Sequence, residues 1–299
     1  MLPLPTDVAS TLSDLIDRAL AEDVGTGDVT TVATIPEGTR ATARFLLKED
    51  GIVAGLAVAE RVFDAVDPGL DVAWSAADGD ALDAGTVFGN VAGRARSILV
   101  AERLALNVMQ RMGGVATAAR RMAEAAAPAT VLDTRKTAPG LRHLDKWAVR
   151  LGGAANHRVG LHDQVLIKDN HVAAAGGVRA ALQAVTDHLA TTGLDVPVEV
   201  EARTLDEVDA VLAAHADGLR VDRVLLDNMA VRTDGGLDVS TLREAVARVG
   251  GRIQTEASGN VTFDTVGAIA ATGVDYISSG ALTHSVRALD VSLKIDLDV

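Results

Sequence analysis

The 299-residue sequence contains no cysteine, which excludes disulfides, thiolate metal sites and a cysteine nucleophile together. Lysine is nearly as scarce, with five lysines against 23 arginines. Basic residues as a class are outnumbered 28 to 41 by acidic ones, for a formal charge of −13. Such a chain repels a polyanion unless its bases are gathered locally, so no nucleic-acid partner is expected. The opening run MLPLPTDVASTLSDLIDRAL has neither a basic n-region nor an unbroken apolar stretch, so no export signal and no membrane partner is expected. A cytoplasmic protein is the expectation. The motifs HExxH, GxSxG, GxGxxG and GxxxxGKS/T are missing too, which removes the zincin, serine-hydrolase, dinucleotide and P-loop readings. His157, His162 and His171 are spaced by five and nine residues, which does not match zinc-ligand spacing.

What is present is an α/β pattern. From about residue 128, short β-branched runs alternate with alanine-rich segments of helical period, the signature of repeated βα units. The runs are Thr130 to Asp133, Gln164 to Lys168, Val198 to Glu201, Arg223 to Leu226, Arg252 to Glu256 and Asp275 to Ser278. Helices are predicted between them over Ala173 to Leu189, Leu205 to Ala214, Ser240 to Val249 and Thr262 to Ala271. Six strands predict a parallel barrel that is incomplete, or one whose remaining strand is poorly marked. The first hundred residues read instead as an α+β domain, with a helix near Leu12 to Ala21 and strands near Ala43 to Leu47 and Val72 to Ala76. An amphipathic stretch, Ser97 to Ala126, joins the two, and Gly113-Gly114 is a candidate break in it.

In barrels of βα units the site lies at the carboxyl ends of the strands, and the unusual residues collect there. The strands run in turn into Asp133-Thr134-Arg135-Lys136, Lys168-Asp169-Asn170-His171, Glu199-Val200-Glu201, Asp227-Asn228, Ala257-Ser258-Gly259-Asn260 and Ser278-Ser279-Gly280. Turns and helix caps account for single Asp, Asn and Ser residues there. They do not account for a cationic set in an acidic protein. Arg135, Lys136, His157, Arg158 and Lys168 predict an anionic ligand, since guanidinium forks match carboxylates and lysine adds a point charge. Ser258-Gly259-Asn260 and Gly280 predict backbone amides for phosphate, with His284 as a further donor. Glu201 and Asp227, at neighbouring strand ends, suit a hard cation such as Mg²⁺ carrying pyrophosphate. The alternative is that they pair with Lys136 or Lys168.

The runs ERLALNVMQRMGGVAT, DTRKTAPGLR, NHRVGLHDQVLIKDNH, VEVE, LLDN, ASGN and SSGALTHS together resemble the quinolinate phosphoribosyltransferases, also called carboxylating nicotinate-nucleotide pyrophosphorylases. The resemblance spans most of the chain, from EDVGTGDVTT onward. It implies an N-terminal α+β sandwich domain, residues 1–112, to which 286–299 return, and an incomplete parallel α/β barrel over 113–285. It implies transfer of phosphoribosyl from phosphoribosyl pyrophosphate to quinolinate with decarboxylation, on the way to NAD, in a homodimer whose sites are completed across the interface. By position, Arg103 would reach the partner's site, and Arg135, His157, Arg158 and Lys168 would hold the quinolinate carboxylates. Lys136, Glu201 and Asp227 would serve phosphoribosyl pyrophosphate and its magnesium, and Ser258, Gly259, Asn260, Gly280 and His284 its phosphates. The chain departs from the family pattern at Trp147, where tyrosine is common, at Ala154, which interrupts a glycine triplet, and over Ala214 to Asp222, which reads as an insertion.

Two rival readings differ in class: a related barrel acting on another pyridine acid such as nicotinate, and a non-catalytic barrel that binds a phosphorylated metabolite. The cation set favours a dicarboxylate over a monocarboxylate, and a magnesium site is of little use to a pure binder.

Overall fold

The computed structural model describes residues 4–298; residues 1–3 and 299, the outer ends of the expected first domain and of its returning strand, lie outside the described residues. The chain runs through α1 (Thr6–Val24), α2 (Val29–Thr34), β1 (Arg40–Leu47), β2 (Gly51–Ile52), α3 (Leu56–Val66), β3 (Asp71–Trp74), β4 (Ala81–Leu82), β5 (Val87–Arg94) and α4 (Ala95–Ala126). It continues through β6 (Thr130–Leu132), α5 (Arg142–Leu151), β7 (Val165–Ile167), α6 (Asp169–Ala175), α7 (Val178–Thr192), β8 (Val198–Ala202), α8 (Leu205–Ala216) and β9 (Arg223–Asp227). The last elements are β10 (Val231–Thr233), β11 (Gly236–Asp238), α9 (Ser240–Val249), β12 (Gln254–Ser258), α10 (Val266–Ala270), β13 (Tyr276–Ser278), α11 (Ala281–His284) and β14 (Val291–Asp298). Two compact units result. One takes in Thr137–Gly153 and the residues from Leu282 onward beside the chain up to Arg120; the other is Arg121–Lys136 with Ala154–Ala281.

In the first unit an antiparallel sheet is ordered β14-β1-β5-β3. Along β1, Ala41, Ala43, Phe45 and Leu47 are buried while Arg40, Thr42 and Arg44 are exposed, the alternation that one packed face imposes on a strand. Phe45 sits among Trp74, Phe88 and Phe63, at ring distances of 4.7, 5.9 and 6.0 Å. Burying each such ring stabilises the unit by about 2 kcal/mol. The last strand, β14, pairs with β1 over its whole length.

The α4 helix is continuous through Gly113 and Gly114, so the expected break is absent. Both glycines are buried. A Cβ on Gly114 would lie 2.2 Å from the Arg287 carbonyl oxygen, and one on Gly113 2.8 Å from Leu289. These glycines admit a crossing backbone; they do not bend the helix. Gly176-Gly177 act in the opposite way. They stand at φ +88° and +131° with open space around them, and they split the helix expected over Ala173 to Leu189 into α6 and α7.

In the second unit six strands form one parallel sheet ordered β6-β13-β12-β9-β8-β7. Each strand lies beside its predecessor except β6 and β7, which are left as the two edges. This is the incomplete parallel barrel that the sequence predicts. Ala155 makes an isolated parallel bridge to Leu132 on the free side of β6, so the segment before β7 lies along that edge. The β8 strand is buried at Val198, Glu199, Val200 and Ala202, as a strand covered on both faces must be. The helix expected over Thr262 to Ala271 is reduced to α10. Its first residues are held in a turn by the Thr265 hydroxyl, which donates to the Asn260 carbonyl at 2.7 Å and accepts from the Thr262 amide at 2.8 Å. The β10–β11 hairpin and β5 were not anticipated.

A Gly114→Ala substitution should destabilise the protein by about 2 kcal/mol or more in urea unfolding, because its methyl group meets backbone. Gly176→Ala, strained only by its dihedral, should cost about 1 kcal/mol. Equal losses would contradict this reading of the two glycine pairs.

Candidate active site

A cavity of about 600 Å³ opens at the carboxyl ends of the parallel strands, entirely within the second unit. Eight of the residues predicted from the sequence line it: Arg135, Lys136, His157, Arg158, Lys168, Glu201, Asp227 and Ser258. They divide into a cationic side, an acidic side and a floor.

The cationic side is built on Asp133, which follows β6 and is fully buried. Its carboxylate accepts from Asn156 Nδ2 at 2.7 Å and from the His157 amide at 2.9 Å, fixing the loop that carries His157 and Arg158. Asp163 holds the far end of that loop, accepting from the Val159 and Gly160 amides at 2.7 and 2.8 Å. Ala154, the departure from the glycine triplet, is buried without a left-handed dihedral, so its methyl group is tolerated. Gly152 is not replaceable in this way, because a Cβ there would lie 2.3 Å from the Ala116 carbonyl oxygen. Arg158 donates from Nη1 to the neutral Gln164 carbonyl at 3.2 Å. Burial, and then the charge of Arg135, depress its pKa, although an arginine remains a cation. Arg135 Nε is buried with no hydrogen-bond partner. Two guanidiniums that repel one another, one with an unsatisfied donor, are arranged for an anion.

The acidic side comes from β8 and β9. Glu201 is half-buried, and its pKa is raised by burial and then by the like charges of Asp227 and Asp169. Lys168 and Arg203 act the other way on Glu201, as the alternative of pairing with Lys168 expects, but the carboxylates themselves form an oxygen-only set whose like charges repel at neighbouring strand ends. These donors fit a hard divalent cation, which would relieve that repulsion.

The floor holds a group that the sequence reading left unassigned. His157 Nδ1 accepts the Arg158 amide at 2.8 Å, so its Nε2 carries the proton toward Glu199, 3.0 Å away, with Glu256 at 3.6 Å. Both ring nitrogens are thus engaged by the protein. Glu199 accepts from Gln164 at 2.6 Å, Glu256 from Arg223 at 2.8 Å, and Arg223 stacks over Tyr276 at 3.9 Å. His157, Glu199 and Glu256 place ligand-type atoms within 4.8 Å of one another, but the Arg223 guanidinium supplies the positive charge there. Two buried carboxylates against one guanidinium cannot both ionise cheaply. Burial, and then the charge of Glu199, push the Glu256 pKa up to about 7; burial raises Glu199 as well. Glu256 was legible only as a strand residue.

The remaining predicted residues fall elsewhere. Gly259 and Asn260 continue the turn from Ser258, with φ of +90° and +55°. Gly280 leads into α11, which starts at the next residue. The turn at Ser258 is separated from α10 by the residues before Val266, so its amides, and no helix terminus, face the end of β12. Arg103 and His284 belong to the first unit and are both exposed; His284 Nδ1 lies 2.7 Å from Ser285 Oγ. Asp169, Asn170, Glu256 and Ser278 line the cavity without having been nominated.

Comparison with known proteins gives one answer. Residues 28–113 match the family described as "Quinolinate phosphoribosyl transferase, N-terminal domain", and residues 115–294 match its C-terminal domain. The chain is 54% identical over 298 residues to an Arabidopsis thaliana protein named nicotinate-nucleotide pyrophosphorylase [carboxylating], chloroplastic, covering 99% of this chain and 86% of that one. It is 56% identical over 291 residues to a Nicotiana glauca protein named quinolinate phosphoribosyltransferase [decarboxylating] 2, mitochondrial, covering 96% and 83%. Among solved structures, NadC from Streptococcus pyogenes superposes with a TM-score of 0.88 at 35% identity, covering 99% of each chain. Among the described residues no helix is long and apolar enough to cross a membrane. The expectation of a cytoplasmic protein is corrected by these relatives, whose names place them in chloroplasts and mitochondria. Absence of a leader-like run at the start of this sequence did not bear on compartment.

The raised pKa of Glu256 at the floor has a measurable consequence. Because the folded-state pKa of Glu256 lies near 7 against an ordinary 4.5, the folded protein keeps a proton that the unfolded chain releases. This contribution is fully present below pH 4.5 and is lost as the pH rises toward 7. The stability of the wild type relative to Glu256→Gln should therefore fall across that window, by about 1 kcal/mol per pH unit at most. A difference that stays flat in urea unfolding from acid to neutral pH would refute it.

Proposed function

The chain belongs to the quinolinate phosphoribosyltransferase family, and from that premise we propose that it transfers phosphoribosyl from phosphoribosyl pyrophosphate to quinolinate. The products are nicotinate mononucleotide, pyrophosphate and carbon dioxide, a step in de novo NAD synthesis. The observation that carries the reading is the Arg135–Arg158 pair, with its buried unsatisfied donor, in a cavity whose other side is acidic.

In this reading Arg135, Arg158 and Lys168 grip the two carboxylates of quinolinate. His157, with both nitrogens engaged, acts by holding the Arg158 backbone. Gripping both carboxylates fixes the ring and presents its nitrogen to C1 of the ribose, so that a bimolecular encounter becomes a positioned one. Lys136, which lines the cavity, supplies a point charge for the leaving group. Glu201 and Asp227 would hold Mg²⁺, which when bound supplies positive charge to the pyrophosphate. The amides of Ser258, Gly259, Asn260 and Gly280 receive the phosphates. As the N–C1 bond forms, the C1–O bond to pyrophosphate breaks through a state of oxocarbenium character, stabilised by fixed charge with no protein nucleophile. The ring nitrogen is then quaternised. The bond from C2 to its carboxylate breaks, carbon dioxide leaves, and the electron pair left on C2 is stabilised by the adjacent positive nitrogen before a proton replaces it.

The exposed position of Arg103 on α4 supports its action across a homodimer interface. A related barrel specific for nicotinate is the second reading, and it leaves one of the two guanidiniums without a carboxylate.

Incubation with phosphoribosyl pyrophosphate and Mg²⁺ should release pyrophosphate and carbon dioxide with quinolinate and nothing with nicotinate; turnover of nicotinate alone would select the second reading. Arg103→Ala and Lys136→Ala should each lose activity, by on the order of 100-fold if each removes a charge from the transition state. Mixing the two inactive proteins should restore part of it if Arg103 acts in trans. A mixture as inactive as its components would place Arg103 outside the partner's site.

A further inference from the structure

The turns that follow β9 and β12 are joined by a pair of asparagines whose side chains the chemistry above does not use. Asn228 and Asn260 are the only non-glycine residues at positive φ among the described residues, both at +55°, a conformation asparagine tolerates better than most side chains. The Asn228 amide donates to the Ser258 carbonyl at 2.9 Å, and Asn260 Nδ2 donates back to the Ala230 carbonyl at 2.9 Å. Each turn therefore holds the other. The Asn228 side chain adds two contacts. Its Nδ2 donates to Asp227 Oδ2 at 2.6 Å, and its Oδ1 lies 2.2 Å from where a Cβ on Gly259 would stand. The orientation of the amide is set by this environment, because reversal would turn its oxygen onto a carboxylate oxygen.

We propose that Asn228 is a positioning residue that locks the Asp227 carboxylate and the Ser258–Gly259 turn into one rigid receptor for the metal-bound diphosphate. This rests on the reading of Asp227 and Ser258 given above. With Oδ2 tied by Asn228, Asp227 offers Oδ1 in a fixed direction, and a carboxylate with one oxygen anchored loses less rotamer freedom when it takes a cation. The same side chain lies against Gly259, in the space a Cβ there would take. Glycine is required at 259 for two reasons, its φ of +90° and the Asn228 amide that occupies the space of a side chain. Metal ligation and phosphate binding are thereby coupled through one amide, while the cationic side that receives the pyridine acid has no part in the contact.

The test is Asn228→Gly, which keeps the backbone conformation and removes the amide. Calorimetric titration with magnesium pyrophosphate, free of turnover, should show binding weakened about 10-fold, the scale of one charge-assisted hydrogen bond. The affinity for quinolinate alone should stay within about twofold and the melting temperature within a few degrees. Turnover should show the KM for phosphoribosyl pyrophosphate raised by the same factor. Unchanged affinity for magnesium pyrophosphate would overturn the proposal, and so would an equal loss of quinolinate affinity, which marks general loosening of the barrel mouth. Asp227→Asn separates this failure from that of the underlying reading. If it binds magnesium pyrophosphate as the wild type does, the role given to Asp227 is wrong; if it binds weakly while Asn228→Gly does not, only the positioning role is lost.

Discussion

Two carboxylates buried against a single guanidinium set the floor on which this cavity is built. Glu199, Glu256 and Arg223 cannot be placed in a low-dielectric interior as three independent charges. They hold together by the Arg223 ion pair to Glu256, by the Gln164 amide and by the His157 imidazole. That imidazole is the link to the surface. Its Nδ1 receives the Arg158 amide, and the loop that carries both residues hangs on the buried Asp133 carboxylate. The position of Arg158 is therefore fixed from beneath, through the His157 ring and the Asp133 carboxylate.

Above the floor the cavity separates charge. Arg135 and Arg158 repel each other on one side, Glu201 and Asp227 on the other. Like charges on each side repel, and under the function proposed above each side would be relieved by a different ligand, a dicarboxylate and a cation bearing diphosphate. Glu199 and Asp163 offset part of the charge on Arg158, and Lys168 and Arg203 part of that on Glu201, so the balance of charge on each side is incomplete.

Much of this was legible in the sequence because parallel βα units put chemistry in a fixed place relative to a fixed pattern. All six barrel strands were recognisable as β-branched runs, and eight cavity residues followed from reading what came next after each. The failures have local causes. Gly113-Gly114 and Gly176-Gly177 are the same dipeptide, and only the backbone crossing the first pair distinguishes close packing from a helix break. Glu256 looked like an ordinary strand residue, because a charged side chain facing a barrel interior shows its role only when Glu199, His157 and Arg223 converge on it from other strands. Asn228 and Asn260 read as turn residues, which they are; that each holds the other's turn depends on the adjacency of β9 and β12. The cytoplasmic expectation is corrected by relatives named for organelles.

The central claim is that the cationic side is held unsatisfied for two carboxylates. Calorimetric titration of the protein alone with quinolinate and with nicotinate, at low and moderate salt, tests it most directly. The account predicts that quinolinate binds at least about 10-fold more tightly, with the difference shrinking as salt rises, since the second carboxylate adds a charge-assisted contact. Equal affinities for the two acids would contradict it.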